Sequence, residues 1–312
     1  MTSVLIVGAG AVGQVFGYHL AKGGADVTFL VKDKYADECR RGFTLYRLPK
    51  REPLRLDGAG VVTAPQGAWD QIYITVSSTA LRGGTWFSEL ARATGDAAIV
   101  VLQPGLEDRA FVAEHVAEAR IVDGTINFLS YHAPMPGETR FAAPGMAYWF
   151  FPGKAPFSGE RAGDVVGALR AGGLPAKRVK SVPRTAAFPA AILGAFVAAL
   201  EAADWSFSRM RGDGLAKLGA RAAREAVRVV EHERGLRAPL GMKLAARPLA
   251  FRALLRIAPR VAPVDLETYM KVHFTKVGDQ MHDGLATYIA RGKTAALPVG
   301  ALEDLQKRLP AA

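Results

Sequence analysis

At 312 residues the chain exceeds the about 100–200 residues of a usual single domain, so two packed domains are expected. Half of its residues are hydrophobic and 22% are charged, which excludes the disordered and fibrous classes. Forty Lys and Arg against 29 Asp and Glu leave a net charge of +11, spread along the chain; it favours anionic ligands, and no nucleic-acid-binding motif accompanies it.

The chain opens without a basic leader, which predicts a cytoplasmic protein. Residues 4–7 form a short apolar run of the kind that a parallel strand buried on both faces requires. It ends in GAGAVG, and a helix is predicted over 13–22 from Val12, Phe16 and Leu20, with Gly23-Gly24 as its stop. A second strand over 27–31 completes a βαβ unit. Gly8 suits the tight turn, Gly10 a close approach of the backbone to a pyrophosphate, and Gly13 close helix–strand packing. Ala11 and Val12 open the helix whose N-terminus faces the anion.

An NAD site usually places an acidic residue at the end of the second strand, for the ribose 2′-hydroxyl. Here that strand ends LVKDK. Lys32 and Lys34 attract a 2′-phosphate and Asp33 opposes it, so NADP(H) is the expected cofactor; taken singly, each lysine equally fits a solvated loop. Cys39, the sole cysteine, excludes an internal disulfide and a cysteine-based zinc site, and in ECRRG it reads as a bystander thiol.

Buried strands are predicted at 72–76 and 98–102, with helices at 86–93 and 110–116, and this alternation gives a doubly wound parallel sheet. From 121 to 151 Pro, Gly and aromatics replace the helical pattern, predicting antiparallel strands appended to the sheet edge. After Gly172-Gly173 and a short strand over 177–182, helical patterns dominate. The expected organisation is a Rossmann domain over 1–179 and an all-helical substrate and dimerisation domain over 180–312, an α/β protein with a possible homodimer as its assembly. The apolar run 186–200, broken by Pro189 and Gly194 and bounded by Arg184 and Glu201, falls short of the roughly 20 residues of a membrane span and reads as a buried helix.

These motifs resemble the ketopantoate reductase (2-dehydropantoate 2-reductase) family. GAGAVG, the VTFLVK strand end, the RRGFTL segment, DQIYITVSSTAL and VVLQPGLED all fall where that family has counterparts. The resemblance implies a Rossmann domain followed by a helical domain, with Lys32 at the position of an arginine that reads the 2′-phosphate, and with Ser77 and Gln103 beside the cofactor. It also shows departures. Ser77 stands where the family usually has a lysine, and Pro104 replaces the asparagine of its Q-N-G turn. The helix best matching the one that opens with the catalytic lysine starts at Arg184, with Phe188 and Ile192 where the family carries asparagines. Phe274 and Ala286 fall near its substrate-binding serine and glutamate. A guanidinium does not deprotonate, so Arg184 is a poor proton donor, and ketopantoate is doubtful as the substrate.

Reduction of a carbonyl needs a proton donor and a group that stabilises the oxyanion. The densest set of such groups is ETYMKVHFTKVGDQMHD, where His273, Lys276 and Gln280 recur at spacings of three and four and share one helix face. His273 has the best free-residue pKa for the task, near 6.5, and Lys276 could orient a carboxylate or donate a proton. The same residues fit the polar side of a surface helix whose apolar side holds Tyr269, Val272 and Phe274. His282 and Asp283 fall off the stripe and read as surface, whereas Glu201 and Asp204 fit either a cleft or a helix end. No histidine spacing suits a metal, and none is expected.

Residues 237–260 set Lys243, Arg247, Arg252, Arg256 and Arg260 among apolar residues, a pattern of a solvated helix face, an acidic partner or a lipid surface. The expected function is NADPH-dependent reduction of a carbonyl or imine on a small anionic substrate. The alternative is an NADP(H)-binding protein without redox turnover, a sensor or a recruited non-redox enzyme.

Overall fold

The structure is a computed structural model that describes residues 1–310 except Pro104, Asp213 and Val277, and leaves the side chains of Thr185 and Gln280 undescribed. The chain divides into two compact units, Met1–Pro183 and Arg184–Ala312.

The N-terminal unit runs β1 (Ser3–Val7), α1 (Ala11–Lys22), β2 (Asp26–Leu30), α2 (Asp33–Arg40), β3 (Phe43–Arg47), β4 (Pro53–Leu56), β5 (Gly60–Val62), β6 (Gln71–Ile74), α3 (Ser78–Arg82), α4 (Trp86–Ala93), β7 (Ala98–Val101) and α5 (Asp108–Ala113). It continues through β8 (Ile121–Gly124), β9 (Phe128–Ala133), β10 (Gly145–Phe150), β11 (Ala155–Ser158), α6 (Ala162–Ala171) and β12 (Ala176–Arg178). The main sheet has the order β12-β11-β8-β7-β6-β1-β2-β5. Its stretch from β5 to β8 is parallel throughout and has the 3-2-1-4-5-6 order of a dinucleotide-binding sheet.

β1 lies at the centre because its side chains suit burial on both faces. Val4 and Ile6 join a core with Val15, Phe16 and Leu20 of α1, and Leu5 and Val7 join the opposite core with Leu81, Phe87 and Leu90 of α3 and α4. Strand alternation therefore supplies both layers from one run. The turn after α1 follows the expectation, with Gly23 as C-cap and Gly24 at φ +86°.

The antiparallel strands depart from the expected place. β9 and β10 do not extend the main sheet; with β3 and β4 they form a second sheet of order β4-β3-β10-β9, in which β10 runs antiparallel to β9 and parallel to β3. The reason lies in their inner face. Phe43, Leu45, Phe128, Met146 and Tyr148 are buried in the core that α1 shares, so the small sheet covers the outer side of that helix. In the main sheet, β8 is parallel to β7, and the only antiparallel pairing is that of β11 on β8, so that β11 and β12, parallel to each other, run opposite to the other strands.

The close approach of α1 and α6 depends on Gly172, where an added Cβ would lie 1.6 Å from the His19 carbonyl oxygen. The His19 ring sits there as well, with Nδ1 2.8 Å from the Gly172 carbonyl oxygen and Nε2 3.1 Å from the Tyr148 hydroxyl. Burial pulls its pKa down to about 4, and the same burial pushes the Tyr148 phenol up. The pairing is therefore Nδ1–H donating to the carbonyl and Tyr148 O–H donating to Nε2.

The C-terminal unit is helical: α7 (Pro183–Glu201), α8 (Phe207–Gly212), α9 (Leu215–Arg234), α10 (Leu240–Ala245), α11 (Pro248–Val261), α12 (Leu266–Lys276), α13 (Gly278–Thr294) and α14 (Gly300–Gln306). The apolar run 186–200 lies within α7, with Pro189 inside it; most of it is buried, whereas Pro189 and Leu193 are exposed. α9 is the centre of this unit. Its buried residues include Ala216, Gly219, Ala220, Ala223, Val227 and Val230, and at Gly219 an added Cβ would meet the Ala199 Cβ at 2.7 Å, so small residues permit the α7–α9 contact. Glu225 of α9 accepts from the N–H groups of Ala301 and Leu302 at 2.8 and 2.9 Å, closing the open end of α14. No helix among the described residues is long and apolar enough to cross a membrane.

Candidate functional site

The order β2-β1-β6-β7 places four strand exits side by side at the C-terminal edge of the main sheet. β1 leads through α1 to β2 on one side, and β6 lies on its other side. The connection reverses there, and the crevice at such a point is where open α/β sheets hold ligands.

The glycine turn fills the β1 exit. Gly8 has φ +97° and donates from its N–H to the Leu30 carbonyl. At Gly13 an added Cβ would lie 2.0 Å from the Gly8 carbonyl oxygen and 2.8 Å from Thr75 Oγ1, so no other residue fits without moving backbone. Gly10 is the opposite case: exposed, at φ −77°, with nothing within 4 Å of the position a Cβ would take. It caps α1 without a side-chain acceptor, and the first turn carries no acidic residue. The N–H groups of Ala11, Val12 and Gly13 thus open a helix end of positive potential onto free space, the arrangement that binds a phosphate.

Three residues that sequence reasoning missed brace these strand exits. Thr75 Oγ1 sits 2.8 Å from the Val7 carbonyl oxygen and 2.9 Å from that of Gly8, and Gln14 Nε2 donates to the Ala9 carbonyl at 2.8 Å. Asp108, fully buried, accepts from Ser78 Oγ at 2.6 Å and from the Gly105 N–H at 2.9 Å, and so holds the turn after β7. The Gly105-x-x-Asp108 spacing is the one signal of these contacts that the sequence carries. Thr75 and Gln14 act across long or irregular turns and leave no pattern.

Lys32 follows β2 directly, exposed, as the N-cap of α2. Asp33 opens that helix, where a carboxylate offsets the helix dipole, so it has a structural task of its own. Lys34 lies over the Tyr35 ring at 4.9 Å. Ser77 caps α3, its Oγ accepting from the Ala80 N–H at 3.2 Å. Gln103 turns its amide inward, with Nε2 donating to the carbonyls of Ile74 and Val76 at 3.0 and 2.7 Å. It ties the β7 exit to the β6 exit. Pro104 lies outside the described residues. Cys39 is buried, and burial pushes its thiol up, which suits a bystander.

In the C-terminal unit the predicted helix face falls on helical residues on either side of Val277, which lies outside the described residues. His273 and Lys276 belong to α12 and Gln280 to α13, with the Gln280 side chain not described. His273 is half-buried, stacked on Tyr269 at 5.3 Å and edge-on to Phe274 at 4.8 Å. Burial, with the Lys276 charge adding to it, draws its pKa from the free 6.5 to about 4, so the ring stays uncharged at neutral pH and well below it. Lys276 is exposed.

Of the residues expected on the apolar side, Tyr269 is buried and Val272 is exposed, while Phe274 stacks on Trp205 at 6.4 Å. His282, expected at the surface, instead meets Glu201 at the end of α7, Nε2 to Oε2 3.1 Å, with its side chain 25% exposed. Arg184 is exposed at the other end of α7, about 25 Å away along a helix of that length. Phe188, where the resemblance places an asparagine, is 2% exposed and part of the core. Among the described residues no cluster of three or more His, Cys, Asp and Glu could hold a metal ion.

Comparison with known proteins returned no match among curated sequences. Solved structures share the fold over nearly the whole chain. A PanE/ApbA family ketopantoate reductase from Ralstonia eutropha is 21% identical, with 98% of this chain and 96% of that one covered and a TM-score of 0.73. D-mandelate dehydrogenase in complex with NADH and anilino(oxo)acetate is 14% identical, with coverage of 98% and 96% and a TM-score of 0.76. A 2-dehydropantoate 2-reductase from Geobacter metallireducens is 17% identical, with 98% of both chains covered and a TM-score of 0.71. The family described as "Ketopantoate reductase PanE/ApbA" matches residues 4–150, the span that carries the glycine turn and the four strand exits, and over that segment the chain is similar to its members.

Proposed function

We propose that the chain is an NADPH-dependent oxidoreductase that reduces a carbonyl or imine of a small, anionic substrate. The observation that carries this reading is the glycine turn. Its middle residue leaves open the space into which the unpaired end of α1 points, and Lys32 stands at the next strand exit with no partner in an ion pair among the described residues.

The N–H groups of Ala11, Val12 and Gly13 would hold the pyrophosphate and Lys32 the 2′-phosphate, with Gly8 and Gly10 admitting the backbone approach and Ser77 and Gln103 forming the neighbouring strand exits. NADPH, when bound, supplies a hydride. The chain must then deliver a proton to the substrate oxygen or nitrogen and hold the substrate's negative charge. Lys276 and Arg184 are our candidates for binding the anion. His273, uncharged at neutral pH, serves as a neutral N–H donor, and Lys276 is the cationic proton donor. The helical unit is the candidate for the substrate and dimerisation part.

The test is titration of NADPH and NADH into the purified protein and into Lys32→Ala, followed by nicotinamide fluorescence. We expect NADPH to bind more tightly and the substitution to weaken it about tenfold, as loss of a charge-assisted hydrogen bond would, with NADH unchanged. Equal binding of both cofactors by the wild type would refute the NADP assignment. The buried Phe188 favours a second reading, an NADP(H)-binding protein without turnover, because a phenyl ring cannot replace an asparagine's hydrogen bonds. Tight NADPH binding with no oxidation across a panel of 2-keto acids, ketones and imines would establish it.

A further inference from the structure

The C-terminal unit carries a surface that dinucleotide chemistry does not use. From 235 to 264 there is no acidic residue and no Ser, Thr, Asn, Gln, His, Tyr or Trp, so each polar side chain is a cation: Lys243 and the arginines 237, 247, 252, 256 and 260. Helices α10 and α11 occupy most of this segment, and α11 buries only Phe251 and Leu255. Its large aliphatic residues face water instead. Leu240 and Leu249 are 73% and 77% exposed, and Leu244, Leu254, Ile257 and Val261 are exposed with them.

Leu254, Ile257 and Val261, spaced by three and four, share one face of α11, and Arg252, Arg256 and Arg260, spaced by four, form a second stripe along it. Lys243 reaches Glu231 at 3.2 Å, whereas none of the five arginines is in an ion pair among the described residues.

We propose that the α10–α11 face docks on an anionic lipid surface and lies in the headgroup plane. Charge disfavours a second copy as occupant, because an isologous contact would set six cations against six. Composition disfavours an acidic protein. Protein interfaces are enriched in aromatic residues and use hydrogen-bonding neutral groups, and this segment has no Tyr or Trp and no neutral polar side chain. Aliphatic residues between cations are what an interfacial helix needs, with Leu and Ile at the acyl boundary and arginines extending to lipid phosphates. The inference does not depend on the proposed oxidoreductase reading.

Flotation of the full chain with vesicles tests it, comparing pure phosphatidylcholine with phosphatidylcholine containing one third phosphatidylglycerol. We expect binding to the mixed vesicles and at least roughly tenfold weaker binding to the neutral ones. Replacing Arg252, Arg256 and Arg260 together by Gln should weaken binding roughly a hundredfold. Leu254→Ser with Ile257→Ser should weaken it roughly tenfold, and part of the wild-type binding should survive high salt, which screens charge and not apolar insertion. All five residues are exposed, so unchanged thermal melts will separate these effects from unfolding.

Absence of flotation with anionic vesicles at low salt overturns the proposal. So does flotation that salt abolishes and that ignores the Leu254 and Ile257 changes, since that is plain charge adhesion. A concentration-dependent dimer lost with the same two changes would assign the face to a second copy. Polyglutamate binding that requires them, without vesicle binding, would assign it to an acidic protein.

Discussion

The two units solve the same packing problem with different materials. The N-terminal unit buries polar side chains and pairs them: His19 between a carbonyl and a phenol, Asp108 between a hydroxyl and an N–H, and the Gln103 amide turned inward on two carbonyls. The C-terminal unit is held by small and aliphatic residues along α7 and α9, and it leaves much of α10 and α11 apolar surface in water. A buried hydrogen-bonding group has one acceptable geometry, because leaving it unpaired costs about 1–3 kcal/mol, whereas aliphatic contacts are tolerant of rearrangement. The difference teaches where precision is needed. The sheet edge must present a turn of fixed shape, and its braces are polar.

The largest effect should come from forcing a side chain into that turn. Gly13→Ala meets backbone at 2.0 Å, so we expect loss of at least about 3 kcal/mol of stability in urea unfolding together with loss of dinucleotide binding. Gly10→Ala meets nothing within 4 Å and should melt like the wild type, yet bind NADPH at least about tenfold more weakly, because its methyl group enters the space for the phosphates. If Gly10→Ala binds normally, no ligand approaches the turn and the precision of this edge serves packing alone.

Acid tests the buried imidazoles. His19 and His273 are both held near 4, below the 6.5 of the free side chain, so between pH 6.5 and 4 the unfolded chain takes up protons that the folded chain refuses. Stability is therefore full above pH 6.5 and falls through that window, by about 3 kcal/mol for the almost wholly buried His19 and by less for the half-buried His273. Urea unfolding at pH 7.5, 5.5 and 4.5 should show this slope, and His19→Phe should flatten it even though it lowers stability at pH 7.5. A slope unchanged in His19→Phe would mean that the comparison between the units has the wrong residue.

The smallest expected effect is at a brace. Thr75→Val keeps the shape of the side chain and removes its hydroxyl from the Val7 and Gly8 carbonyls, which should cost about 1 kcal/mol and weaken NADPH binding severalfold. Were Thr75→Val to match the wild type in both, the turn would be rigid without its polar support.

The βαβ opening, the glycine turn, the central buried strands and the helical second half were legible along the chain, because these rest on local rules. Side chains alternate along a strand, glycine alone tolerates the turn at Gly8 and Gly13, and apolar residues recur at helical spacing. The sequence also exposed the cationic and aliphatic composition of 237–260 before any helix was placed. Long-range packing settled that β9 and β10 leave the main sheet to cover α1, since that depends on which apolar faces remain uncovered once the sheet has formed. It also decided the protonation of His273 and the pairing of His282 with Glu201. Both depend on burial and on groups distant in the chain, and neither burial nor distance is written in the spacing of residues along it.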